Sequence, residues 1–161
     1  MIKRRLAIRK SKKMTVAIGD VFAVPLGGNR YGYIRAYNDP FFAIFDVISD
    51  ELLPLEVVKK YSIKDDAFIV FDAIEKGEWP CIGHIPFENE EDAWPEPKKQ
   101  IPPEWDPSVK FVVYKGQYLY PKQFSALFGD FDFDVLSPLL QFSADDTVEY
   151  ILEHCTPISS N

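Results

Sequence analysis

Few residues in this chain have the types and spacing that chemistry requires. Cys81-x-x-His84 has the spacing of half a zinc site, and His154-Cys155 is the remaining Cys/His pair. Structural zinc needs ligands that all point inward. Adjacent residues on a helix point about 100° apart, so His154 and Cys155 do not complete such a site. Nothing local activates either thiol as a nucleophile. Asp130-x-Asp132-x-Asp134 opens like a calcium loop, but that loop requires Gly at its sixth position and Glu at its twelfth. Those positions hold Val135 and Gln141. The sequence has no G-x-S-x-G, no H-E-x-x-H and no glycine-rich loop leading into a helix. The expectation is a protein without enzymatic activity, metal or cofactor.

Charge and aromatic residues offer a different chemistry, that of binding. Residues 1–13 hold seven basic side chains and no acid, a charge of +7. The remaining 148 residues keep 11 basic against 25 acidic residues, a charge of −14. Such a body repels nucleic acid and anionic membranes and draws in cationic partners. Two stretches concentrate the relevant side chains. Residues 88–107 carry Glu88, Glu90, Glu91, Asp92 and Glu96 among five prolines, with Trp94 and Trp105. This is either a surface wrap held by its tryptophans or a partner-contacting element. Asp130, Asp132 and Asp134 alternate with Phe131, Phe133 and Val135, the pattern of a strand with three carboxylates on one face. That stripe either guards a sheet edge or meets Arg and Lys on a partner. The candidate partner-binding residues are therefore Glu90, Glu91, Asp92, Trp94, Trp105, Asp130, Asp132 and Asp134.

The elements that position them read in order. Residues 19–37 form a hairpin, two β-rich runs joined by Gly27-Gly28-Asn29, whose composition predicts a turn longer than two residues. Pro25 cannot donate to a ladder, so its strand is expected at an edge or bulged there. Asn38-Asp39-Pro40 is a turn, Phe41 to Ile48 a buried strand, and Leu55 to Lys60 one or two helical turns behind Pro54. Ala67 to Ile74 is the most apolar run and is expected as a central strand. Trp79 to Phe87, with two prolines, reads as an extended edge segment. A second hairpin spans 109–120 around Lys115-Gly116, and a short helix follows over 121–128, ended by Gly129. Ser143 caps a C-terminal amphipathic helix with Val148, Ile151, Leu152 and Cys155 on its apolar stripe.

These elements predict an α+β fold, mainly β, with an antiparallel, strongly curved sheet or small barrel-like core. At 161 residues, 47% hydrophobic and 15% aromatic, one domain over 14–161 is expected behind a flexible basic arm, 1–13. No apolar run reaches the roughly 20 residues that span a bilayer. The N-terminus lacks the apolar core of a secretory signal. Two cysteines with no disulfide framework fit reduced thiols and a cytoplasmic location.

Gly19-Asp20-x-Phe22-x-Val24-Pro25-Leu26, Tyr31-Gly32-Tyr33, Phe42-Ala43-Ile44-Phe45-Asp46 and Gly77-x-Trp79-Pro80-x-Ile82-Gly83-x-Ile85-Pro86 together resemble the immunity protein 26 family. The resemblance covers residues 15–87 and, more loosely, the C-terminal helix. It implies a non-enzymatic antidote of a bacterial polymorphic toxin system, encoded beside the toxin it neutralises. The implied partner is that toxin, and a basic nuclease would match the acidic body. The Gly-Asp-x-Phe-x-Val-Pro hairpin is also similar to the first strands of small SH3-like barrels. With the basic arm, that gives the alternative of a nucleic-acid-binding module.

Overall fold

In the computed structural model, residues 16–69, 72–100 and 102–158 are described; the basic arm, 1–13, lies outside them. The chain begins with the expected hairpin, β1 (Asp20–Gly27) and β2 (Arg30–Ala36). Gly27 pairs with Arg30, so the turn is only Gly28-Asn29, tighter than the sequence suggested. Both turn residues have positive φ, 60° and 65°, the combination a two-residue turn needs to match the strand twist. The third candidate residue, Gly27, is absorbed by an irregularity in register between Pro25 and Gly27. Pro25 sits exposed beside it, where a missing donor costs least.

β3 (Phe41–Phe45), β4 (Ile63–Ile69), β5 (Cys81–His84) and β9 (Gln141–Phe142) complete a six-stranded sheet in the order β5-β1-β2-β3-β4-β9. All its pairs are antiparallel except β4 with β9. The sheet is open, with β5 and β9 at its edges, so strands do not close into the barrel-like core that was one expectation. A second sheet, β6-β7-β8, is built from Lys98–Gln100, Phe111–Tyr114 and Gln117–Leu119. The helices are α1 (Leu55–Val58), α2 (Asp72–Glu75), α3 (Pro121–Phe128) and α4 (Ala144–His154). The fold is α+β and mainly β. Among the described residues, no helix is long and apolar enough to cross a membrane.

The large sheet is covered on both faces, which explains why β3 is buried at every position. Phe22, Val24, Ile34, Ala36, Phe42 and Ile44 point to one side, where Ile151 and Cys155 from α4 meet them. Val21, Ala23, Tyr33 and Phe45 point to the other, against Val58 of α1. The capping box holds α4 at its start: Ser143 Oγ accepts from the Asp146 amide, and the Ser143 amide donates to the Asp146 carboxylate, both at 3.1 Å. The buried stripe on α4 is Thr147, Ile151 and Cys155 with Val148 partly covered; Leu152, expected on it, is exposed.

Two sequence expectations change. The strand assigned to 67–74 is displaced: β4 spans Ile63–Ile69, and α2 takes Asp72–Glu75. Its polar first half is stable as a strand because a lysine from the other sheet neutralises it, as described below. Residues 130–135 are not a strand. They contain a 3-10 turn, Phe133–Val135, and Asp132 Oδ1 accepts from the Asp134 amide at 3.0 Å. This local side-chain bond replaces the strand ladder that alternation alone would suggest.

Candidate functional site

The second sheet and α3 hang from the large sheet by a small set of contacts. Trp94 stacks edge-on to Phe41 with ring centroids 6.1 Å apart, and its ring lies against Gly116 in the β7–β8 turn. Asn38 donates to the carbonyl of Ala93 through both its amide, at 2.9 Å, and its side chain, at 2.8 Å. Phe41, Val113 and Leu139 form a buried cluster at the junction. The strongest tie is ionic. Lys98 of β6 is buried, and its Nζ lies 2.8 Å from Asp66 Oδ1 and 4.0 Å from Asp65 Oδ1 on β4. Burial pushes the Asp66 carboxyl above its usual range, and the hydrogen bond from Lys98 opposes that push. On the other side, the Tyr150 hydroxyl donates to Asp65 Oδ2 at 3.1 Å. Burial and the Asp65 charge hold that phenol well above its ordinary range.

The segment after β5 is fastened separately. Arg35 donates to the carbonyls of Ile85 and Pro86 at 2.6 and 3.1 Å. Its guanidinium carbon lies 3.6 Å from the centre of the Phe87 ring, a cation–π stack. Residues 88–107 are then not one long loop, since a 3-10 turn (Glu90–Asp92) and β6 interrupt them.

The structure distributes the eight candidate residues over four places. Glu91 and Asp92 are exposed in the 3-10 turn, while the side chain of Glu90 lies outside the described residues. Trp94 is half-buried at the junction and Trp105 is 83% exposed in the β6–β7 connection. Trp94 therefore anchors the segment, and Trp105 does not. Asp130, Asp132 and Asp134 are all exposed after α3. Lys99 Nζ donates to the Asp134 carbonyl at 2.9 Å, which ties this segment to β6.

A further group, apart from Trp105, escaped the sequence reading. Nine large apolar side chains are exposed among the described residues, and six of them, Trp105, Tyr118, Tyr120, Leu127, Phe128 and Val135, lie within 105–135. Pro121 starts α3, the Tyr120 amide donates to Gln123 Oε1 at 2.8 Å, and Gly129 at φ 90° ends it. Phe124 is the residue α3 buries, and Tyr114, Phe128 and Phe131 surround it at 5.9, 4.9 and 4.9 Å. Phe128 also meets Tyr114 at 4.9 Å. No local signal separates Leu127 and Phe128 from Phe124, since all three are apolar and burial alone distinguishes them.

Elsewhere, Cys81 and Cys155 are free thiols, one exposed and one buried. His84 Nδ1 lies 3.0 Å from Asp20 Oδ1. A shallow groove of about 400 Å³ runs along α4, lined by Gln141, Phe142, Asp146, Glu149, Tyr150 and Glu153. Together these features give a surface with exposed carboxylates and aromatics.

The model of one protein family, immunity protein 26, matches residues 17–104. The match takes in β1 to β6 and runs past residue 87, through Trp94, further than the motifs suggested; it does not include α4. No curated protein and no solved structure matches the chain.

Proposed function

The chain belongs to the immunity protein 26 family, and on that premise we propose that it is a non-enzymatic antidote in a bacterial polymorphic toxin system. It binds a toxin domain and covers the active site or the substrate surface of that domain. The family match over residues 17–104 carries this reading. The acidic balance of residues 14–161, −14, supports a cationic partner such as a nuclease. The contacting side chains are drawn from the acidic and aromatic elements after Trp79: Glu90, Glu91, Asp92, Trp94, Trp105, Asp130, Asp132 and Asp134. Aromatic anchors with a carboxylate rim are what a tight interface with a basic protein uses. No membrane and no nucleic acid is required.

Co-expression tests the reading. Cells making the C-terminal domain encoded by the adjacent reading frame should survive when they also make this protein, and the two should co-purify. Death of the cells despite a well-expressed, folded protein counts decisively against it.

A further inference from the structure

The family match ends at residue 104, before the part of the chain where exposed apolar side chains concentrate. Within that part, the C-terminal end of α3 stands out. Leu127 is 65% and Phe128 54% exposed. Phe128 sits on a bed of rings that fixes it, since it touches Tyr114 and Phe124 with centroids 4.9 Å away in both cases. Side chains already held in place lose little freedom on binding, which is what an anchor requires.

Charge at the same spot identifies the occupant. A helix carries a partial negative charge at its C-terminus, where acidic residues are unfavourable and basic ones usual. The last turn of α3 has no basic residue, and the next charged positions are Asp130, Asp132 and Asp134, all exposed. Lys99 reaches the Asp134 backbone carbonyl and leaves the carboxylates outward. The residues that follow the helix thus add negative charge to its end, and two cations, Lys115 and Lys110, stand 5.5 Å over the neighbouring Tyr114 and Phe133 rings.

We propose that Leu127 and Phe128, framed by Asp130 and Asp132, are the central anchor of this protein for the toxin domain, and that the toxin offers there an apolar pocket ringed by Lys or Arg. This rests on the antidote reading above and adds to it the site and the chemistry of the partner. The surface lies outside the matched family region, residues 17–104.

The test uses the full chain and the purified C-terminal domain of the adjacent reading frame, inactivated for handling. Titration calorimetry is run on wild type, Leu127→Arg, Phe128→Ser, Asp130→Asn and, as a control on another element, Glu149→Gln. Circular dichroism and thermal unfolding establish that each variant is folded; Leu127 and Phe128 are more than half exposed, so two independent substitutions guard against a misfolded one. Leu127→Arg and Phe128→Ser should each weaken binding about 30-fold or more, the scale of a central anchor. Asp130→Asn should weaken it several-fold at low ionic strength and little at high salt, while Glu149→Gln leaves it unchanged. Wild-type affinity in both folded anchor variants, with protection of cells intact, overturns the site and leaves the antidote reading standing. Absence of binding and protection by the wild-type chain overturns both. A wild-type homodimer that Leu127→Arg dissociates would show that a second copy occupies the surface, and overturns the proposal as well.

Discussion

Lys98 illustrates how much rests on single side chains. It is buried between two carboxylates that belong to a different sheet. Removing one partner of a buried pair leaves an uncompensated charge, so Lys98→Met should cost about 3 kcal/mol in denaturant unfolding. Lys98→Met combined with Asp66→Leu should cost clearly less, because the carboxylate then left, Asp65, keeps its hydrogen bond from Tyr150. Cys155 makes a second prediction. Burial, with the nearby Asp46 charge, raises its thiol from an ordinary 9.0 to about 11, and Sγ donates to the Phe45 carbonyl at 3.4 Å. The native state therefore holds this proton more tightly than the unfolded chain. The resulting stability is complete below pH 9 and is lost as the pH rises towards about 11. In the same terms, a thiol reagent at pH 8 should label the exposed Cys81 quickly and reach Cys155 only on unfolding.

At the level of elements, the helix–sheet contact of α4 is set by a residue with no side chain. A Cβ on Gly32 would lie 2.7 Å from Ile151 Cγ2 and 2.8 Å from its Cδ1. Gly32→Ala should thus force α4 away from β2 and destabilise by about 1–3 kcal/mol. Loss of the capping box in Ser143→Ala should cost about 1 kcal/mol, from the start of the same helix. Both are read from thermal or urea unfolding. The hairpins and the two longer helices were legible in the sequence because turn, cap and periodicity signals are local. The start of β4 was not: Lys64-Asp65-Asp66 looks like turn chemistry until Lys98 arrives from more than 30 positions away. Asp130 to Val135 failed in the opposite direction. Its alternation is that of a strand, but the Asp132 side chain takes the Asp134 amide, and it is Ser137 to Leu139, just beyond, that bridge to the edge of β6. Of the candidate surface, the carboxylates and Trp105 could be found in advance. The exposed Leu127-Phe128 end of α3 could not, because which face of a short helix is covered depends on what packs against it.

As a whole, the molecule is a large two-faced sheet, whose strands β1 to β5 lie within the family match, with a smaller sheet and helix hung from its β4 side. The small sheet has one buried cluster shared with its neighbour and the Lys98 tie. The amides of β7 and β8 should therefore exchange with solvent faster than those of β2 and β3, whose strands are covered on both faces. Hydrogen exchange followed by mass spectrometry resolves the two groups, and equal protection would show that the sheets open as one unit.

The stitching of the last described residues into the centre sets a schedule for synthesis. The Ile158 amide donates to the Ile48 carbonyl, the Ile48 amide to the Thr156 carbonyl, and the Thr156 amide to Asp46, while β9 pairs in parallel with β4. A ribosome makes the hairpin and β3 first, yet the face that α4 covers stays bare until residues 144–154 have emerged. A chain halted before Gln141 would carry that apolar face uncovered and should collect in the insoluble fraction. Protection would then begin abruptly, only once α4 has been made.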